Sequence, residues 1–213
     1  MVNPQWVDFF YNRQKGWIDG TALFIDTLKK YCNPNSLVLD LGAGSAEGKP
    51  EFYSIKGLVK VNIGIDSNKE IYKNEIVDKK ILGNVYSLPF CEEAFDLIYA
   101  DYVLEHIGLT DDFVREISRV LKKGGFFIFR TANEYHYVTL IAKAISKISK
   151  SALIHLMRKY GSKNHPSSLY YKMNTAGKLK KLFLKNGFSI DLLQLIEKEP
   201  SYLMFNAWLF LLG

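Results

Sequence analysis

The sequence predicts an α/β fold, a mostly parallel sheet flanked by helices, and three observations carry that prediction. Short apolar runs of strand length recur at Ser36–Leu41, Val61–Ile65, Phe95–Ala100 and Phe126–Phe129. Each is too short for a buried helix and reads as a strand covered on both faces. A segment of helical period, Asp111 to Leu121, separates the last two runs. The first run stops at Gly42-Ala43-Gly44, a turn in which missing side chains let the backbone approach a ligand. Strands joined through helices or long crossovers build a parallel sheet, because each crossover must carry the chain back before the next strand begins.

Taken in order, the chain opens with Trp17, Ala22, Leu23, Phe24, Ile25 and Leu28 at helical spacing between Trp6 and Tyr31, which predicts two short N-terminal helices. The Asp111–Leu121 segment keeps Phe113, Val114, Ile117, Val120 and Leu121 on one face. It opens on Asp111-Asp112 and has Gly124-Gly125 just beyond it, as helix charge and capping preferences expect. After Thr131 the pattern changes. From Val138 to Tyr160, Ile141, Ile145, Ile148 and Ala152 oppose Lys143, Lys147, Lys150 and Arg158, a basic amphipathic helix. Gly161 to Tyr171 reads as a polar loop, Thr175 to Lys185 as a second basic helix stopped by Asn186-Gly187, and Phe188 to Ile196 as a final strand. Ser201 to Gly213 is an apolar tail too short to span a bilayer. The expected organisation is one domain over 1–213: N-terminal helices (1–35), a core (36–132), a helical insertion (133–174), then a helix, strand and tail (175–213).

Composition narrows the classes. With 213 residues, 48% hydrophobic and 23% charged, the chain has ample material for a core and none of the bias of a disordered or fibrous protein. The net charge of +6 is unevenly spread: between Tyr135 and Ile190 there are 11 Lys and Arg and no Asp or Glu, which leaves the rest with 17 bases against 22 acids. Cys32 and Cys91 are far apart and carry no disulfide or zinc spacing. The first residues show no basic-then-apolar leader pattern, so the expected location is cytoplasmic.

The chemistry concentrates in Val38-Leu39-Asp40-Leu41-Gly42-Ala43-Gly44-Ser45-Ala46-Glu47-Gly48, followed by Ile65-Asp66 at the end of the next strand. A carboxylate at that tip can accept both hydroxyls of a ribose. The G-x-G-x-x-G fingerprint is absent, because Gly48 falls one place late, and so is a phosphate-binding G-x-x-x-x-G-K-[ST] loop. Asp40, two residues before the first glycine, would repel a pyrophosphate. It suits a cofactor with a cationic amino-acid end.

Six stretches in order, Val38 to Gly44, Gly64-Ile65-Asp66, Gly83 to Phe90, Ala94 to Ile98, Val103-Leu104-Glu105-His106-Ile107 and Arg119 to Gly125, resemble the successive motifs of class I S-adenosylmethionine-dependent methyltransferases. The subgroup is the one containing the quinone-biosynthesis methyltransferases, and the resemblance covers about Ser36 to Thr131. It implies a Rossmann-like, mostly parallel seven-stranded sheet with a helical cap after the fifth strand, and S-adenosyl-L-methionine as cofactor. It implies that Asp40, Gly42, Ala43 and Gly44 lie under the methionine moiety, that Asp66 with Ser67 meets the ribose, that Asn84 and Val85 flank the adenine, and that Ala100 and Asp101 face the sulfonium and methyl group. Two positions depart from the family pattern: Asn84 stands where an acidic residue is usual, and Ala46 where the third glycine is usual.

The implied reaction is in-line methyl transfer to a small-molecule or lipid-linked acceptor, at oxygen first and carbon next, and it needs no metal. The protein then has to align the nucleophile and accept its proton. Candidate bases are His106 and Asp101, with Glu134 or His136 beyond the fifth strand, although Glu105-His106 could instead order the segment before the next helix. Asn133, His136, Tyr170 and Tyr171 are candidate acceptor-binding residues; a polar strand exit and aromatic packing are the plainer alternatives. Phe9, Phe10, Tyr11 and Trp17 read either as a lid or as core. The basic block and the apolar tail together suggest contact with an anionic membrane surface, against the plainer reading of solvated lysines over a packed cap. Nucleic acid is disfavoured as a partner, because the lysines are not interleaved with stacking aromatics and arginine is scarce. The competing readings are a non-catalytic methyltransferase-like binding or scaffold protein and a dinucleotide-dependent oxidoreductase.

Overall fold

The structure is a computed structural model that describes residues 19–47, 49, 51–136, 140 and 169–196. The chain divides into two compact units, one of Met1–Leu23, Asn133–Ser167 and Gln194–Gly213, the other of Phe24–Ala132 with Ser168–Leu193. The second unit holds the sheet.

Five strands, β1 (Leu37–Leu41), β2 (Val61–Asp66), β3 (Lys79–Leu82), β4 (Phe95–Asp101) and β5 (Leu121–Arg130), form one parallel sheet in the order β3-β2-β1-β4-β5. Three helices are described: α1 (Gly20–Lys30), α2 (Thr110–Val120) and α3 (Ala176–Lys185). Strand alternation sorts the core. Val38, Leu97 and Tyr99 join Phe24, Ile25 and Leu28 of α1 on one face. Leu39, Leu41, Ile98 and Ala100 join Phe113, Val114, Ile117 and Val120 of α2 with Leu179 and Phe183 of α3 in the other cluster. Each such side chain taken fully out of water contributes roughly 1.5–3 kcal/mol, so both faces are firmly tied to the strands. The caps fit the sequence: the Asp19 carboxylate accepts from the Thr21 and Ala22 N–H groups at 2.7 and 3.3 Å, and the Thr175 hydroxyl accepts from the Lys178 N–H.

Three details differ from expectation. Strand β3 is absent from the hydropathy pattern because it begins with two lysines; it lies at a sheet edge, where Lys discourages further pairing. Gly124-Gly125 does not cap α2, which passes straight into β5. The glycines sit inside β5 at a shift in its register with β4, where Gly124 has φ +76° and a side chain on Gly125 would meet the Asp96 carbonyl oxygen at 2.9 Å. Residues 188–196 are irregular rather than a strand. Leu192-Leu193 and Leu195-Ile196 come as adjacent pairs, which cannot turn one apolar face to a sheet, and all four are exposed.

The earlier of the two N-terminal helices, the basic helix from Val138 to Tyr160, most of the 133–174 insertion and the apolar tail lie outside the described residues, as do Phe9, Phe10, Tyr11, Trp17 and His165-Pro166. Among the described residues no helix is long and apolar enough to cross a membrane.

Candidate functional site

The strand order locates the site before any side chain is considered. The chain runs β1, β2, β3 outward to one edge, then crosses back to place β4 and β5 on the other side of β1. Loops leaving β1 and β4 therefore diverge and open a crevice at their carboxyl ends, where open α/β sheets bind ligands.

The turn after β1 is bent tightly and held from three sides. Gly42 and Gly44 take φ values of +66° and +53°, and a Cβ on Gly42 would lie 2.5 Å from a Val103 methyl. The Gly42 and Ala43 N–H groups donate to the Ile65 carbonyl at 2.8 and 3.2 Å. From the far side Asn74, fully buried, donates through Nδ2 to the Ala43 and Gly44 carbonyls at 3.0 and 3.1 Å, while its Oδ1 accepts from the Ile76 N–H at 3.0 Å. Nothing in the hydropathy pattern singled out Asn74; its signal is an Asn fixed between two apolar positions, Ile71 and Val77.

Two carboxylates flank this turn. Asp66, at the end of β2, accepts from the Gly44 N–H through Oδ2 at 2.9 Å and from the Asn68 N–H through Oδ1 at 2.7 Å. Both oxygens are thus fixed in direction and keep further acceptor capacity. Asp40, in β1, is 4% exposed and pairs in register with Gly64 of β2 and Tyr99 of β4. Burial pushes its carboxyl up to about 7, against the opposing pull of Lys49 and a hydrogen bond from the Tyr99 hydroxyl. A ligand with a positive end near Asp40 and neighbouring hydroxyls near Asp66 would fit these two groups, since a cation offsets the cost of a buried negative charge. Ser67 lies exposed beside Asp66.

On the other flank Asn84 and Val85 begin a turn in which the Asn84 Oδ1 accepts from the Tyr86 N–H at 2.9 Å. Val85 packs on the core. The Tyr86 hydroxyl accepts from Gly108 N–H at 2.9 Å, tying this turn to the segment after β4. Arg119 of α2 steadies the following residues, donating to the Leu88 and Phe90 carbonyls at 3.1 and 2.8 Å, and Glu116 accepts from the Leu88 N–H at 2.6 Å. Two distant motif pieces thus meet as one bracket.

At the end of β4, Ala100 is buried and Asp101 faces Arg130 of β5, its register partner. Both Asp101 oxygens accept from the guanidinium. The Arg130 guanidinium also lies 5.1 Å from the Phe24 ring centre and 4.8 Å from that of Tyr102. Tyr102 itself holds φ +56°, a costly conformation for a residue with a Cβ. Beyond it Leu104–His106 forms a 3-10 turn. Glu105, buried, accepts from the Thr131 hydroxyl at 2.8 Å, and Thr131 in turn accepts from Asn174 Nδ2. Burial raises the Glu105 carboxyl to about 7. The Glu105 carbonyl accepts from the Tyr170 and Tyr171 N–H groups at 2.8 and 3.2 Å.

The structure thus gathers Asp40, Gly42, Ala43, Gly44, Asp66, Ser67, Asn84, Val85, Ala100, Asp101 and His106 on loops and strand ends of one unit, with Tyr170 and Tyr171 joined through Glu105. Asn133 and His136 fall in the other unit, where the Asn133 carbonyl accepts from the His136 N–H at 3.1 Å. Sequence reasoning missed Asn74, Tyr99, Arg119 and the pairing of Arg130 with Asp101.

Comparison with known proteins gives a consistent result. The methyltransferase domain family matches residues 39–129. The chain is 31% identical over 127 residues to the uncharacterized methyltransferase YcgJ of Bacillus subtilis, covering 55% of this chain and 49% of that protein. It is 28% identical over 141 residues to the ubiquinone/menaquinone biosynthesis C-methyltransferase UbiE of Vibrio campbellii, covering 60% and 51%. The chain spans about half the length of these curated relatives. In structure it resembles YcgJ, with TM-score 0.56 at 24% identity over 78% of this chain and 68% of that one. It also resembles a SAM-dependent methyltransferase from Methanosarcina mazei, with TM-score 0.57 at 20% identity over 81% and 89%.

Proposed function

We propose that this chain, whose residues 39–129 match the methyltransferase domain family, transfers a methyl group from S-adenosylmethionine to oxygen of a small-molecule or lipid-linked acceptor. The observation that carries this reading is the pair of carboxylates, Asp40 and Asp66, on either side of the Gly42–Gly44 turn at the crevice between β1 and β4. When bound, the cofactor supplies an activated methyl group on a positively charged sulfur. Asp40 offsets the charge of its amino-acid end, Asp66 accepts from the ribose hydroxyls, and Asn84 with Val85 borders the adenine.

Two groups at the end of β4 divide the remaining work. Both oxygens of Asp101 are engaged by Arg130, so we assign it to holding the rim and give His106 the acceptor's proton. Tyr170 and Tyr171 are assigned to acceptor binding, and so, within their own unit, are Asn133 and His136; a helical cap after β5 and a sheet of seven strands belong to the same reading. Lys178, Lys180 and Lys181, exposed on α3, support a membrane surface as the place where a lipid-linked acceptor is met. Carbon is the second target atom, favoured by the likeness to a relative named as a C-methyltransferase.

Isothermal titration with S-adenosylhomocysteine tests the core of the reading: micromolar binding is expected, and millimolar or absent binding overturns it. His106→Gln should cut turnover about 100-fold with cofactor affinity unchanged. Co-sedimentation with anionic vesicles tests the membrane contact, which lack of binding at low salt would sink.

A further inference from the structure

We propose that Tyr99, braced by Asn62, is a positioning residue that orients the Asp40 carboxylate toward the cationic end of the bound cofactor. The inference rests on the reading of Asp40 given above. It starts from the sheet. Asp40 and Tyr99 are register partners on neighbouring strands β1 and β4, and Asn62 stands on β2, on the opposite side of β1. All three are buried, at 4%, 5% and 1% exposure. Asn62 Nδ2 donates to the Tyr99 hydroxyl at 3.1 Å, and that hydroxyl is hydrogen-bonded to Asp40.

The chain of donors has one self-consistent direction. An ionised carboxylate can only accept, so Tyr99 must donate to Asp40. The Tyr99 oxygen must then receive its own donor, which is the Asn62 amide N–H. Deep burial raises the phenol well above its usual value, and the negative charge of Asp40 adds to this, so Tyr99 keeps its proton. The arrangement also has a visible cost: Asn62 Oδ1 is buried without a hydrogen-bond partner among the described residues, a loss of the kind normally avoided inside proteins. An Asn placed only for packing would have no reason to bear it.

The groups facing Asp40 set what the hydroxyl does there. Burial and the carboxylates of Asp101 and Asp66 disfavour its charge, while Lys49 and the Tyr99 hydrogen bond favour it. Arg130 is taken up by Asp101, and Cys32 faces Tyr99 from α1's end. Removing the hydroxyl should therefore leave the carboxyl harder to ionise and free to turn.

The test is Tyr99→Phe in the full chain, read in two ways. Carbon-13 NMR of the Asp40 carboxyl in the free protein should show its titration midpoint raised by about one pH unit. Because only the ionised fraction binds well, S-adenosylhomocysteine affinity should fall about 5-fold at pH 7 and less than 2-fold at pH 8.5. Asn62→Ala should shift the midpoint the same way by a smaller amount. An unmoved Asp40 midpoint overturns the role of Tyr99 whether or not ligand binds. Absence of binding by the unaltered protein at pH 8.5 overturns the functional reading instead, and the NMR midpoint still judges Tyr99.

Discussion

Asp101 and Arg130 meet as a two-point ion pair at the carboxyl ends of adjacent strands, in register across β4 and β5. Both side chains are less than one-fifth exposed. Burial works against the Arg130 charge, but the hydrogen bonds it donates to Asp101, with that carboxylate's negative charge, more than reverse this and hold it protonated. Asp101→Ala should cost about 2–3 kcal/mol, the loss expected when a buried charge loses its hydrogen-bonded partner. Asp101→Ala with Arg130→Ala should cost less than the sum of the two. Urea denaturation of the three variants measures the coupling, and simple additivity would show that the pair contributes nothing of its own.

The Asn74 clamp predicts a split between stability and binding. Asn74→Ala removes both donors from the Ala43 and Gly44 carbonyls, and each buried acceptor left unpaired costs about 1–3 kcal/mol. The turn then loosens, and S-adenosylhomocysteine affinity should drop about 10-fold, or 1.4 kcal/mol. Calorimetry reads both effects; an unchanged affinity would mean the turn is held by its glycines alone.

Gly42 offers a steric test. Gly42→Ala adds a Cβ 2.5 Å from the Val103 side chain at a φ that disfavours it, with an expected loss of about 1–3 kcal/mol. Trimming the neighbour in Gly42→Ala/Val103→Ala should relieve the clash but not the backbone strain. Thermal melts compare the two. A double variant no better than the sum of its parts would deny the contact.

Glu105 predicts a pH dependence. Its carboxyl is raised by burial from 4.5 to about 7 in the folded protein, despite the hydrogen bonds of its own backbone and Thr131. Between those values the folded state holds more proton than the unfolded chain, so stability falls as pH rises from about 4.5 to 7 and levels off above. Glu105→Gln keeps an acceptor for Thr131 and removes the titration. The variant should gain on the order of 3 kcal/mol over the unaltered protein at pH 8, a gap that closes toward pH 4.5. Urea midpoints across this range would refute the account if the gap stayed constant.

Much of the site was legible because it is local in sequence. Asp40, Gly42 and Gly44 are spelled out within five residues, and Asp66 closes the next apolar run, so strand ends alone bring them together. What could not be read is what sheet order decides. Arg130 and Asp101 are 29 residues apart and become neighbours only once β5 pairs with β4, and Tyr99 looks like one more apolar residue until Asn62 arrives beneath it from β2. Strand β3 was hidden by its lysines, and residues 188–196 imitated a strand by composition while lacking its alternation.

The Glu105–Thr131–Asn174 links have a consequence for the chain as a whole. Thr131 follows β5, Tyr170 to Asn174 precede α3, and both are fastened to the same turn after β4. The end of the last strand and the start of the last described helix are therefore tied at one buried carboxylate by the core's own hydrogen bonds.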